Sequence, residues 1–154
     1  VPRVQELSEG ETELAHAALR ELRPAFSSRS ELVRQVNEVQ RPEGYRLIGS
    51  FDDDHTEDAA GVAGFRTGHN LVWGYFIYVD DLVTLPAYRG RGHADALMSW
   101  LFREARALGC DHLHLDSGTH RHDAHRFYLK HRLEISSFHF TSGDLAAGPP
   151  HSSG

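Results

Sequence analysis

The sequence is poorest in cysteine: Cys110 stands alone among 154 residues. One thiol excludes an internal disulfide framework and fits a reducing compartment. Long apolar runs are also missing. A membrane-spanning helix needs roughly 18 residues of them, and Gly or Asp interrupts every candidate. The opening, VPRVQELSEG, has neither the basic region nor the apolar core of a signal peptide, and it starts at Val1 instead of Met, as a trimmed or processed chain does. A cytoplasmic protein with no membrane partner is expected. Positive charge is in deficit as well: 16 Lys and Arg face 22 Asp and Glu, a net charge of −6 with His neutral. Nucleic-acid binding usually wants a basic face, so that partner class is set aside.

What remains is ordinary globular composition, with 40% hydrophobic and 25% charged residues. The length suits one domain, and no internal repeat or linker divides it. Composition shifts only at the end, where Thr141–Gly154 is rich in Gly, Pro and Ser; a single domain over 1–140 and a disordered tail over 141–154 are expected. The acidic run Asp52–Asp58 reads as a solvated turn between strands.

Alternating patterns predict strands at Arg3–Leu7, Tyr45–Phe51, Ala59–Arg66, Tyr75–Thr84, His112–Asp116 and Glu134–Phe140. Helical spacing predicts helices at Glu11–Arg23, stopped by Pro24, and at Glu31–Gln40, with Ser30 as its cap. A strong helix is expected over Gly92–Leu108, with Ala96, Leu97, Trp100, Leu101 and Leu108 buried and Gly109 as its C-cap, and a short one over Asp123–Lys130. This order gives an α/β fold, a mixed sheet with helices on both faces.

The segment that carries chemistry is Leu82–Ala94, LVTLPAYRGRGHA. A strand ends at Thr84, Pro86 prevents its continuation, and two glycines lead directly into a helix. Such a turn lets a ligand approach the backbone, and the unpaired first-turn N–H groups of the helix suit a diphosphate. A tight turn without a ligand is the plain alternative. Dinucleotide and P-loop folds fail on spacing: Asp95 stands where G-x-G-x-x-G needs its third glycine, and the Lys of a P-loop is missing.

Arg89-Gly-Arg-Gly92-His-Ala94 resembles the R/Q-x-x-G-x-G/A signature of the GCN5-related N-acetyltransferases, the GNAT superfamily. Val79-Asp80-Asp81-Leu82-Val83-Thr84 looks like the family's pantetheine-binding strand. Ala124-His-Arg-Phe127-Tyr128-Leu-Lys130 looks like its A-x-x-F-Y-x-K helix. Together these cover roughly residues 3–140. The resemblance implies a GNAT fold with a mixed, mostly antiparallel sheet of six to seven strands, and acetyl-CoA as co-substrate without a metal. It also implies direct acetyl transfer in a ternary complex to a primary amine of a small acceptor, with a cationic one among the candidates. Acetylation of protein amines and a non-catalytic acyl-CoA-sensing module stay open. So does a homodimer, the state of many relatives.

Carried over residue by residue, the backbone of Leu82, Val83 and Thr84 would pair with pantetheine and aim an N–H at the thioester oxygen, as an oxyanion hole does. Backbone N–H groups of Arg89, Gly90, Arg91, Gly92, His93, Ala94 and Asp95 would hold the pyrophosphate. Tyr128 takes the general-acid position beside the coenzyme sulfur; a core aromatic next to Phe127 is the plainer role. Asp80 and Asp81 are similar to the acidic pair of polyamine acetyltransferases, as amine anchor or base. Neighbours on a strand face opposite sides, so only one lines a cleft unless a bulge intervenes. Arg121 replaces an Asn that often binds coenzyme and would serve as a coenzyme contact by reaching a phosphate, or else the Asp116 carboxylate, and His131-Arg132-Leu133 replaces a Gly that often follows the helix. Acceptor choice is expected in the two N-terminal helices and the loop Thr67–Gly74.

Twelve histidines invite a metal reading at His120, His122 and His125, but the segment coincides with the coenzyme-side helix, whose chemistry needs no metal. His112 and His114 share a strand face. Cys110 reads as a small buried residue and not a nucleophile, because no activating pattern surrounds it.

Overall fold

The computed structural model describes residues 1–52 and 58–147. It divides into two compact units, Val1–Leu115 and a shorter portion beginning at Asp116. The first contains a five-stranded sheet in the order β1 (Arg3–Leu7), β2 (Arg46–Phe51), β3 (Gly61–Asn70), β4 (Gly74–Thr84) and β5 (His112–Leu115). The first four strands pair antiparallel, and β5 joins β4 in parallel. That parallel step requires a crossover, which α3 (His93–Leu108) supplies.

Period-two alternation divides the sheet into two faces. Leu47, Phe51, Val62 and Val83 pack with Ala15, Ala18, Leu19, Leu32 and Val36 from the N-terminal helices. Their neighbours point the other way, toward α3. Ser50 meets His93, Phe65 meets Trp100, and a Cβ on Gly61 would stand 3.2 Å from Leu97. Helix α3 buries His93, Leu97, Met98, Leu101 and Ala105, an i, i+4, i+5, i+8, i+12 stripe. Leu108, expected inside, is 37% exposed at the last turn, and Gly109 closes the helix in the left-handed conformation (φ 77°).

The N-terminal helices differ from the expected pair. A 3-10 turn over Glu9–Ala15 precedes α1 (His16–Leu22), with the Ser8 N–H donating to the Glu11 carboxylate at 3.0 Å. Helix α2 (Arg29–Gln35) starts earlier than expected because Ser28, not Ser30, accepts the Glu31 N–H. It then widens into a π turn at Val36–Gln40, and Pro42 fits the next 3-10 turn at Arg41–Glu43. Arg41 ties this segment to the end of β1 through the Leu7 and Ser8 carbonyls.

The second unit contains α4 (His122–Lys130). The strand expected over Glu134–Phe140 is not formed, so the sheet has five strands instead of six to seven. Ile135, Phe138 and Phe140 in this stretch are exposed. Strand propensity is a preference for a pleated, partnered surface, and the segment has no ladder partner among the described residues. Most of the acidic run (53–57) and residues 148–154 of the expected tail lie outside the described residues. Within these, no helix is long and apolar enough to cross a membrane.

Candidate active site

Strands β3 and β4 pair in register except at one step. Gly64 lies opposite Asp81 and Phe65 opposite Val79, which leaves Asp80 as the extra residue of a bulge. The bulge resets the alternation, and both carboxylates line one cavity of about 210 Å³. Sites for drug-sized ligands run to roughly 300–1,000 Å³, so this one suits a small molecule. Its apolar wall is Leu19, Phe26, Leu32 and Val36, from α1, α2 and the chain around them; Gln35 and Gln40 add amides. The stretch Thr67–Gly74, expected as a loop that helps choose the acceptor, is instead the end of the β3–β4 hairpin, with only residues 71–73 outside the ladder, and it contributes no lining residue.

Three residues that sequence reading did not single out hold these carboxylates. Arg23 leaves α1 at its C-cap because Pro24 follows it. Its Nε donates to Asp81 Oδ1 at 2.9 Å and its Nη2 to the Asp80 carbonyl at 3.0 Å. The Tyr45 hydroxyl donates to Asp81 Oδ2 at 2.8 Å. Burial, and then the negative charge of Asp81, push the Tyr45 phenol well above the usual tyrosine range, so it remains a donor. Arg66 grips Asp80 with two bonds of 2.8 Å. Each carboxylate oxygen accepts one such bond and keeps a second lone pair for a ligand.

Strand β5 pairs only with Phe76–Val79, so from Asp80 to Thr84 the β5 side of β4 has no strand beside it among the described residues. This free edge contains Leu82, Val83 and Thr84. Beyond it, a 3-10 turn at Pro86–Tyr88 leads to Gly90 (φ 78°) and Gly92 (φ 89°), left-handed positions that favour glycine. Gly92 caps α3, whose first-turn N–H groups lack intrahelical acceptors and lie at the positive end of the helix dipole.

The loop's side chains divide. Arg89 is exposed. Arg91 donates to Asp52 Oδ2 at 3.1 Å and lies over the Tyr88 ring. His93 turns inward: its Nδ1 is 2.7 Å from Ser50 Oγ, and its Nε2 is 3.0 Å from Asp52 Oδ1. Asp52, expected in a solvated turn, thus braces the loop.

In the second unit, Tyr128 is half-buried on α4, and burial raises its phenol above the ordinary tyrosine range, with Arg121 opposing. Arg121 is the N-cap of that helix. After the helix, Arg132 adopts φ 66°, the left-handed position where the family often has Gly. The turn is kept by bonds from the Arg132 N–H to the Leu129 carbonyl and from the Leu133 N–H to Tyr128. A side chain there costs about 1 kcal/mol. Arg132→Gly is therefore expected to stabilise the chain by about 1 kcal/mol in urea unfolding, and an equally large loss would show that the Arg side chain is needed there.

His125 Nε2 lies 2.8 Å from the Gly118 carbonyl oxygen, and its ring meets His122 edge-on. His112 and His114 stack at 5.2 Å, with Trp73 on the other side of His114. Among the described residues no group of three or more His, Cys, Asp or Glu stands close enough to hold a metal. Burial and then Asp111 raise the Cys110 thiol, which keeps it protonated and a poor nucleophile near neutral pH.

A sequence profile described as "Acetyltransferase (GNAT) family" matches residues 12–132, and the chain belongs to that family of N-acetyltransferases. It is 40% identical over 63 residues to an aminoalkylphosphonate N-acetyltransferase of Salmonella typhimurium, a match that spans 41% of each chain. It is 29% identical to YhdJ of Bacillus subtilis, an uncharacterised N-acetyltransferase, over 82% of this chain and 87% of that one. In fold it resembles a Trypanosoma brucei acetyltransferase, with a TM-score of 0.77 and 21% identity over 93% of this chain and 99% of that structure.

Proposed function

We propose that the protein transfers the acetyl group of acetyl-CoA to a primary amine of a small acceptor. The observation that carries this reading is the bulge in β4. It puts two carboxylates on a small cavity, one residue before the unpaired edge Leu82–Thr84 that leads to the glycine turn. Acetyl-CoA lies along that edge, with its pyrophosphate on the N–H groups of Arg89–Asp95. An N–H of the edge donates to the thioester oxygen, where negative charge grows. The amine donates to the spare lone pairs of Asp80 and Asp81 and passes a proton to one of them, directly or through water. The neutral nitrogen then attacks the thioester carbon, the C–S bond breaks as Tyr128 protonates the leaving thiolate, and the nitrogen loses its second proton to water, from which the phenol is reprotonated. By its name the Salmonella relative acetylates the amine of a small molecule, and the modest cavity favours the same scale of acceptor here.

Amine-dependent release of free CoA from acetyl-CoA tests the reading, run against amino acids, amino sugars, polyamines and aminoalkyl acids, with coenzyme binding measured by calorimetry. Release with at least one small amine is the expected result. Binding without release across the panel would favour a sensing module or a protein acceptor. Absence of binding would remove the coenzyme assignment of Arg89–Asp95.

A further inference from the structure

The carboxylates lining the cavity are balanced. Asp80 and Asp81 bring two negative charges, Arg23 brings a positive one from the cavity wall, and Arg66, which does not line the cavity, pairs with Asp80. A polycation therefore finds no unmatched carboxylate here. The two guanidinium groups are not equivalent. Arg66 commits two donors of its planar fork to one carboxylate, a bidentate grip. Arg23 gives a carboxylate one bond and spends the next on a neutral carbonyl. Its side chain is 50% exposed, it lines the cavity, and its Nη1 donors have no partner among the described residues. Five N–H donors on a fixed plane, only two of them used, favour an oxyanion over any neutral group.

We propose that Arg23 anchors an anionic group of the acceptor, so that the acceptor is a short primary amine that also carries a carboxylate, phosphonate or phosphate. This rests on the acetyl-transfer reading above and names the substrate class for the same cavity. The ammonium of the zwitterion takes the spare lone pairs of Asp80 and Asp81, and its oxyanion takes the open edge of Arg23. Arg23 and Asp81 are in contact, so the acceptor's two charges are a few bonds apart. A long molecule with distant charges fits the small cavity poorly. The apolar wall of Leu19, Phe26 and Leu32 packs against the short carbon chain between the charges.

Four acceptors on one three-carbon scale test this by thiol release: propylamine, 1,3-diaminopropane, 3-aminopropanoate and 3-aminopropylphosphonate. A charge-assisted hydrogen bond contributes enough that kcat/KM for the anionic amines should exceed that for propylamine by about 10- to 100-fold. The faster of the two anions identifies the oxyanion preferred. In Arg23→Gln the anionic-to-neutral ratio should fall by about tenfold or more, mostly through KM, while the diamine gains on propylamine because the cluster is left net negative. Arg23→Lys should restore part of the ratio, since it keeps the charge and loses the fork. The wild-type acceptor order is informative even if a variant folds poorly. Turnover led by propylamine or the diamine, or a ratio unchanged in Arg23→Gln, overturns the anchor and leaves acetyl transfer standing. Coenzyme binding with silence from all four amines overturns the short zwitterionic acceptor and the anchor with it, and the wider amine panel then decides acetyl transfer itself.

Discussion

Exchanging Tyr128 for Phe is expected to lower kcat by about 10²–10⁴-fold, the usual cost of losing one general acid. Affinity for acetyl-CoA should change little, because the coenzyme contacts proposed here are backbone groups of β4 and the glycine turn. The leaving thiolate has an ordinary pKa near 8–9, and an ordinary tyrosine is near 10, so the proton lies on the phenol throughout the working range. Burial raises the Tyr128 phenol further and extends the protonated range upward. The sign follows. A group that must be protonated supports turnover at low pH and loses it as pH rises through its pKa. In the wild type the alkaline fall of kcat should therefore come above the usual tyrosine value, and in Tyr128→Phe it should disappear. Wild-type turnover in the Phe variant would remove the phenol from the mechanism and return Tyr128 to a packing role beside Phe127, whose ring centroid is 5.6 Å away.

Much of the architecture is legible because each element carries its own periodicity. Helix α3 is written in the spacing of Leu97, Leu101 and Ala105, with glycines at both ends where left-handed turns are needed. The strand pattern of Arg3–Leu7 and the long run of β4 likewise fix their own extents. Failures fall where the deciding partner is distant. The π turn at Val36–Gln40 has no local signature, and Ser28 and Ser30 are equally good caps until the backbone chooses. The segment Glu134–Phe140 has strand-like residues, yet a strand also needs a ladder, which no sequence window contains.

The same division runs through the candidate site. The glycine turn is visible because Gly90 and Gly92 are consecutive constraints on one short stretch. The aspartate pair is visible as well, but whether one or both reach a cleft depends on the opposite strand. The cations that neutralise the pair come from 58 and 14 positions away, as Arg23 and Arg66, so nothing near Asp80 announces them. A cationic acceptor is a natural reading of two bare carboxylates. It weakens once both are seen in ion pairs.

Gly64→Ala should be the most damaging small substitution in the sheet. A Cβ at Gly64 would stand 1.7 Å from the Tyr45 hydroxyl oxygen and 2.2 Å from Cζ, and the three nearest atoms all belong to that ring. Tyr45 is 5% exposed and tied to Asp81, so it has nowhere cheap to move. The alternative is a shift of β3 at the bulge, which would reset the register that brings Asp80 and Asp81 together. Overpacking of this kind costs about 1–3 kcal/mol, and the upper end is expected in urea unfolding, together with loss of turnover. Tyr45→Phe is the informative contrast. It removes the bond to Asp81, at about 1 kcal/mol, and the nearest clashing atom, but leaves Cζ at 2.2 Å and Cε1 at 2.6 Å, so it should relieve Gly64→Ala only in part. Tyr45→Ala removes all three clashing atoms, and the double variant Gly64→Ala with Tyr45→Ala should cost less than the sum of its parts. Strict additivity, or a Gly64→Ala protein as stable as the wild type, would show that the ring does not lie against β3. The glycine carries its own sequence signal after all: an isolated Gly inside a strand marks a bulge or a close approach, and here it marks both.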